Sequence, residues 1–538
     1  MGRLESGSHD SEEPPCRFFD QEVIVRRVGI DLALKAHHRA TVFEDAVQVG
    51  KPFSVRRTAA GIDALVRRAT SGTDQPCEFI MEPTGLAWLG LAAELERRGH
   101  HTYVPKAQKT HLLRKFLAQF AKTDTADAKA QALVRHVDPD GVYRLHVPSA
   151  AETTLRLCVK QRARLVVDVG RAKRRVLSWL ILANPHLGDA LGDDAFNQPG
   201  TAFLRRYIDP FAVQTLGIAK LRKDWATHAR GVDGKRVAAV WEACEATCAL
   251  YAELRAAGRL PFDYAVMQEL VRQELERIEY LENQVAALDE RIRATYRLVD
   301  PDRLLETEVP GIGAAIAPTI EAFVSDIDRF GSAKRFAAYF GIVPRTRQTG
   351  GQDGKPGQRL TKGGPGLLRQ YMFLAAEVAR RCDPALAAAY EKARARGKHH
   401  YHAVIIVAHK LLRKIYAVLK LRAAAQRAKL EGRTPPRVAY DYCDPETGQV
   451  LTKAEARAVV EARYPSKAEK VRRADKKRAV QTLPQPGPAA QTGSSEDATK
   501  EVSGTPPEPG IAGTAACEKP VKKPVLKSEK DGAKKPLL

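Results

Sequence analysis

Four carboxylates stand where they could act on one substrate. Val25 to Asp31 reads as a largely apolar strand that ends on an acid, and Cys77 to Glu82 reads as a second, broken afterwards by Pro83-Thr84-Gly85. Asp124 and Asp127 follow Thr123, a residue suited to capping a helix, and their three-residue spacing places both on one helical face. Ala126, Ala130, Leu133, Val134 and Val137 give that helix a separate apolar face for packing. Acids converging from two strand ends and a helix start suit hard divalent ions. Two such ions about 3.5–4 Å apart activate an attacking oxygen and steady a leaving one. Each acid alone reads better as an ordinary cap or a solvated strand end, but the set in this order reads as a nuclease core. Lys106, Lys109, Arg114, Lys115 and Lys122 lie close by in the sequence and suit a phosphate path.

Those acids need a sheet to gather them. Strands are expected at 23–31, 38–44, 77–82 and 101–105, with helices near 58–69, 86–98, 106–119 and 126–137. That alternation predicts an α/β sheet of the ribonuclease-H type over residues 22–146, its acids clustered at one end. Residues 1–21 read as a disordered leader. Residues 147–300 read as helical, with breaks at Asn184-Pro185 and between Gly192 and Pro199. Val271, Ile278, Val285 and Ile292 fill one heptad position there, and Glu274, Leu281, Leu288 and Thr295 the other. That rhythm predicts a two-stranded coiled coil between chains, with an internal helical hairpin as the alternative. A mostly α-helical module follows at 301–425. In it Val309-Pro310-Gly311-Ile312-Gly313 lies between helical stretches as in a helix-hairpin-helix, where Gly311 and Gly313 would bring backbone N–H groups to a phosphate. Ser332 is expected to cap the next helix. Beyond 425 periodicity is lost, and 426–538 is expected to be a mostly disordered basic tail, too poor in apolar residues from about 465 to fold.

The motifs resemble the DEDD-type insertion-sequence transposases often called the one-ten family, recombinases with a RuvC-like N-terminal domain and a C-terminal transposase domain. The similar stretches are Val28-Gly29-Ile30-Asp31, Met81-Glu82-Pro83-Thr84-Gly85 and Lys122-Thr123-Asp124-Thr125-Ala126-Asp127-Ala128. Further on come Val309 to Gly313, Phe340 to Arg345, Gln348-Thr349-Gly350-Gly351, Leu360 to Pro365 and Gly397 to His400. The resemblance covers roughly residues 22–145 and 300–420. It implies DNA strand cleavage and rejoining with Mg²⁺ (Mn²⁺ as a substitute) on Asp31, Glu82, Asp124 and Asp127. It also implies donor and target DNA as partners, a structured guide RNA encoded by the element, and a homodimer or homotetramer. The family's nucleophile is a serine; here the place is held by Thr349, which keeps the hydroxyl and adds a methyl group. Arg345, Arg347, Arg359, Lys362, Arg369 and Lys122 are the expected phosphate contacts. The alternative for the Thr349 loop is a turn that only binds phosphate.

Composition is consistent with this. Lys plus Arg exceed Asp plus Glu by 23 over 538 residues, which points to a polyanionic partner, and no basic amphipathic anchor suggests a membrane. The eight cysteines hold no zinc spacing and read as reduced thiols of a cytoplasmic protein. His399, His400, His402 and His409 read as phosphate or core hydrogen-bonding groups rather than metal ligands. A junction-resolving endonuclease would need the same four acids without the second module, and a catalytically silent nucleic-acid-binding protein would need none of them. Truncation after about residue 465 should preserve the fold and strand cleavage while lowering non-specific DNA affinity at low salt. Titration of a random duplex at two salt concentrations checks this, and a truncated chain that fails to fold would overturn it.

Overall fold

The computed structural model describes residues 25–118, 123–192, 195–345 and 359–465. Its N-terminal part is a six-stranded mixed sheet with helices on both faces. The elements run β1 (Arg26–Asp31), β2 (His38–Glu44), β3 (Val47–Val55), α1 (Ala59–Thr70), β4 (Glu78–Met81), α2 (Ala87–Arg97), β5 (His101–Pro105), α3 (Ala107–Leu117), α4 (Asp124–Val137) and β6 (Val142–Arg144). The sheet order is β3-β2-β1-β4-β5-β6. β1, β4 and β5 are parallel, while β2, β3 and β6 are antiparallel to their neighbours. The order therefore switches between β1 and β4, and the C-terminal ends of both strands open at that switch point, where ligand sites of open sheets form. Sequence periodicity located four of these strands. β3 is an edge strand with little burial and β6 has three residues, so neither carries a strong alternating pattern.

One face of the sheet is closed by α1 and α2 over Val28, Ile30, Phe79 and Met81, all fully buried. The other face receives α4, and its seat is β1 backbone. A Cβ built on Gly29 would lie 1.9 Å from Ala128 O and 2.5 Å from Ala132 N. The packing face of α4 is accordingly centred on Ala128 and Ala132, both fully buried, and the expected Val137 is exposed.

Next come α5 (Ala150–Ala183), α6 (Leu187–Ala190), α7 (Gln198–Leu204), α8 (Pro210–Leu216), α9 (Ile218–His228), α10 (Gly234–Ala256) and α11 (Tyr264–Val299). α5 is about 50 Å long at 1.5 Å per residue, and α11 runs antiparallel along it. The ion pairs Arg162–Asp289, Lys173–Glu282 and Arg175–Glu274 join the two helices. The heptad residues Val271 and Ile278 are buried in a core shared with Ala172, Val176 and Leu180 of α5. The heptad face is thus covered by α5 of the same chain, the hairpin alternative. Glu274, unexpected at a core position, is there to take the Arg175 guanidinium through two hydrogen bonds of 3.0 and 2.8 Å.

The C-terminal module is helical: α12 (Leu304–Glu308), α13 (Ile316–Val324), α14 (Ala333–Tyr339), α15 (Gly366–Ala379), α16 (Pro384–Ala395) and α17 (His400–Leu430). Ser332 caps α14 as expected. Arg422 of α17 donates to both carboxylate oxygens of the buried Glu321 at 2.8 Å and lies 3.2 Å from Asp300, tying α17 to α13 and the end of α11. Residues 426–465, expected to belong to the disordered tail, are folded in large part. β7 (Tyr442–Cys443), β8 (Val450–Leu451) and α18 (Lys453–Arg463) bring Tyr440, Tyr442 and Ala456 into the module's core. Tyr440 donates to the buried Asp383 at 2.6 Å and Tyr442 to the Glu308 carbonyl at 3.4 Å, long-range anchors that no local pattern announces. No helix among the described residues is long and apolar enough to cross a membrane.

Gly29→Ala should destabilise the sheet domain by about 3 kcal/mol, the upper range for overpacking, because the clash is with backbone that no side-chain trimming relieves. Chemical denaturation of the full chain measures this; an unchanged unfolding midpoint would show that α4 does not rest on β1 in this way.

Candidate active site

Side-chain alternation along β1 puts Arg27, Gly29 and Asp31 on the face that receives α4. In β4, Glu78 and Ile80 share that face, and continuing the alternation puts Glu82 there too. Because Ile30 pairs with Met81, Asp31 and Glu82 are the next step of the same parallel register. α4 meets this pair of strands through one stripe spaced by four residues. Arg135 binds Glu78 at 3.1 Å. Gln131, with its amide nitrogen toward the sheet, donates to Ile80 O at 3.2 Å and Ile30 O at 2.5 Å. Asp127 is the next member. Four helical residues rise about 6 Å and two strand residues about 6.6 Å, so helix and strand keep step and Asp127 arrives level with Glu82. Thr123 caps α4 by accepting from Ala126 N at 3.2 Å, which sets Asp124 and Asp127 in its first turn, where the helix dipole favours anions.

Glu78 and Glu82 illustrate how position decides role. Glu78 is buried between Arg27 at 3.0 Å and Arg135, a structural ion pair, whereas Glu82 is exposed at the open end. Two residues that sequence reasoning passed over belong to this site. Arg39 stands opposite Asp31 in the β1–β2 register and donates to Thr125 Oγ1 at 3.1 Å. Gln131 clamps the two strand ends; its signal was a polar residue one turn after Asp127 amid the mostly apolar run from Ala128 to Val134.

The basic residues expected to form a phosphate path are mostly engaged within the domain. Arg114 holds Asp127 at 2.9 Å, Lys109 holds Asp138 at 2.9 Å, and Lys106 donates to the Asp140 carbonyl. Lys115 is exposed, and Lys122 lies outside the described residues. Four carboxylates are hard oxygen donors that suit a divalent ion. Among the described residues, however, no three His, Cys, Asp or Glu side chains are grouped closely enough to hold one. The donor chemistry fits a metal, and gathering the set requires Asp127 to turn from Arg114.

The second module presents its expected contacts around a neck. Arg345 N donates to Arg359 O at 3.0 Å and Thr361 N to Val343 O at 2.9 Å, which pairs the residues on either side of the segment that contains Thr349. Thr349 and Arg347 themselves lie outside the described residues. Lys362 has φ of +52°, and Gly341 and Gly364 are required beside it, since Cβ atoms there would lie 2.1 Å from Gly363 O and 1.8 Å from Tyr339 O. Arg369 Nη1 and Thr361 Oγ1 are buried without a hydrogen-bond partner among the described residues. Gly311 is used for packing: with φ of +79°, its Cβ would lie 2.3 Å from Ala375 O of α15, while Gly313 is open. The histidine near Tyr390 is engaged too, His400 Nδ1 lying 2.9 Å from its hydroxyl. A cleft of about 690 Å³ has Glu82 on one side and Gly364 on the other, so the acid end of the sheet and the base of the second module face one space.

That space has a polar latch on its wall. Ser325, at φ of +55°, donates to Glu152 Oε1 at 2.8 Å, and His146 Nε2 lies 3.1 Å from the same oxygen. Burial alone would raise the Glu152 pKa, but the bonds from His146, Ser149 and Ser325 hold it at about 2. The same carboxylate raises His146 above its ordinary value, chiefly through their hydrogen bond.

Residues 28–185 match a family model for DEDD-type IS110 transposases, and residues 303–391 match one described as the transposase IS116/IS110/IS902 family. These matches, one in each half of the chain, make it a DNA transposase similar to those of insertion elements. It is 24% identical over 405 residues to a 43.6 kDa protein of insertion element IS110 from Streptomyces coelicolor, covering 75% of this chain and 96% of the relative. It is 26% identical over 405 residues to a 44.8 kDa protein of insertion element IS116 from Streptomyces clavuligerus, covering 73% and 94%. A probable family 20 transposase of Pseudomonas aeruginosa is 36% identical over 141 residues, 26% of this chain and 39% of the relative. The first family match ends within two residues of the end of α5, so it takes in that helix as well as the sheet domain.

Arg114→Gln should tighten Mn²⁺ binding about fivefold, because a partly exposed ion pair of this kind contributes roughly 1 kcal/mol that the metal must displace. Calorimetric titration of Mn²⁺ into both proteins reads this out, and weaker binding in the variant would make Arg114 a supporting group of the site instead of a competitor.

Proposed function

We propose that this transposase cuts and rejoins DNA with Mg²⁺ held by Asp31, Glu82, Asp124 and Asp127, and with the Thr349 hydroxyl as the group that joins the DNA end. The observation that supports the reading is the seating of Arg135 and Gln131 on β4 and β1, with Asp127 as the next residue of the same stripe of α4. When bound, the ion supplies positive charge for the attacking and leaving oxygens. The chain's own residues do the placing. Gln131 fixes the two strand ends, Thr123 orients the first turn of α4, and the paired ends of the 346–358 loop bring Arg345, Arg359 and Lys362 to one base. Arginines there can hold the non-bridging phosphate oxygens as charge develops on them. Gly311, whose contacts are with α15, has no part in this reading.

Resemblance to the one-ten family supports two further elements of the proposal: an RNA encoded by the element that guides donor and target DNA, and a dimer or tetramer as the working assembly. The excess of cations suits both nucleic acids.

A suicide DNA substrate should trap a covalent protein–DNA adduct that Thr349→Ala removes and Thr349→Ser retains. Asp31→Asn should lower cleavage at least about 100-fold with DNA binding nearly unchanged, since even loss of an outer-sphere partner of a metal site costs 10–100-fold. Free ends with no adduct in any variant would replace strand transfer by hydrolysis of the junction-resolving type. Wild-type cleavage by Asp31→Asn in Mg²⁺ would remove the metal assignment.

A further inference from the structure

α5 carries two populations of cations. Those turned toward α11 are neutralised, as in Arg162 with Asp289, Lys173 with Glu282 and Arg175 with Glu274. Arg171 is paired with Asp168 on its own helix at 3.0 Å. Arg156, Lys160 and Arg164 differ: none has an acidic partner among the described residues. The acid one turn before them, Glu152, is already committed to His146, Ser149 and Ser325. Spaced by four residues, the three cations form a row with about 6 Å between members. Arg156 and Lys160 both sit 5.7 Å from the centre of the Phe323 ring. Lys160 is held below its ordinary pKa by desolvation first and then by repulsion from Arg156 and Arg164, as expected of a row without its counter-charge.

The row lies along two adjoining hollows. Arg156 and Lys160 line the cleft of about 690 Å³ that also contains Glu82, and Arg164 lines a second of about 550 Å³ closed on its far side by Leu367 and Tyr371 of α15. Exposed apolar side chains flank the row: Leu157 at 46% beside its first member, and Val166 at 44% and Val167 at 50% exposure just past its last. Cations at regular intervals beside exposed apolar surface suit a single strand, with phosphates on the charges and base faces on the apolar patches. Hollows of this size admit unpaired nucleotides and not a duplex.

We infer that the Arg156–Lys160–Arg164 face of α5 is a track for one unpaired strand of nucleic acid, leading away from the Glu82 end of the sheet along α15. The inference deepens the transposase reading and rests on it only for the strand's biological origin; the binding itself needs no cleavage.

The test uses the full chain and three fluorescent probes of one sequence: single-stranded DNA, single-stranded RNA and duplex DNA. Replacing Arg156, Lys160 and Arg164 together by Gln should weaken one or both single strands at least 10-fold at low salt. The slope of log affinity against log salt should fall by about 2, from three contacts at roughly 0.7 each. Duplex affinity should change less than twofold. The control replaces Lys220, Arg222 and Lys223 of α9 by Gln, removing the same charge from an exposed site; it should leave single-strand binding as in wild type. A larger loss for DNA assigns the track to a DNA strand, and a larger loss for RNA assigns it to the guide. Unchanged single-strand affinity and slope in the triple variant, or equal loss in the control, would overturn the inference. Loss of single-strand binding in a chain that proves unable to cut DNA would leave the track standing and remove the cleavage reading alone.

Discussion

The contact on which the rest depends is between two backbones: Gly29 of β1 and the Ala128–Ala132 turn of α4. Nothing larger than hydrogen fits between them. Because the helix sits that low, Gln131 reaches the Ile30 and Ile80 carbonyls and Arg135 reaches Glu78, and both bonds fix the helix's rotation as well as its height. Rotation matters more than height for Asp127, since turning α4 by one residue would swing it about 100° away from the strand ends. A glycine in a strand, a glutamine in a helix and a half-buried arginine therefore set the height and rotation of α4, although none of them needs to touch a substrate.

α5 carries the arrangement into the second module. Its first half, through Leu155, Cys158 and Val159, is part of the C-terminal module's core, and its second half, through Ala172, Val176 and Leu180, is part of the middle helical core. A single rigid helix thus belongs to two cores, while the cap at Ser149 and the latch of Glu152 with His146 and Ser325 fasten its start beside the sheet domain. This gives a physical reason for the long middle region: α11 buries the far side of α5 and neutralises the cations there, so that the near side can keep its charges free for a polyanion.

The sequence made the acids, the caps and most of the sheet legible because these are local signals: an acid ending an apolar strand, Thr123 before Asp124, Ser332 before α14. What it hid is relational. The heptad face of α11 announced a partner but not that the partner was α5. Glu78 and Glu82 are the same residue type in one short segment, and only the Arg27 and Arg135 guanidinium groups separate the structural acid from the open one. Arg114 looked like a phosphate ligand until its distance to Asp127 was known. Residues 426–465 lacked periodicity because their order comes from scattered long-range contacts, such as Tyr440 on Asp383 and Tyr442 on the Glu308 carbonyl, and a two-residue strand pair, features too short to pattern a sequence.

Electrostatics sets a last constraint on the acid cluster. In the proposed site, four carboxylates brought to one sheet end would repel one another, and without cations nearby the N-terminus of α4 would be pushed from the strand ends that its own packing demands. Arg114 on Asp127 and Arg39 beside Asp31 offset that repulsion from opposite sides of the cluster. Their guanidinium groups let the domain fold around its own negative charge, and they stand at the place where an incoming phosphate backbone would need positive charge once a metal had taken the carboxylates. The same two residues therefore suit both tasks, which explains why arginines, with their long reach and permanent charge, stand here instead of lysines.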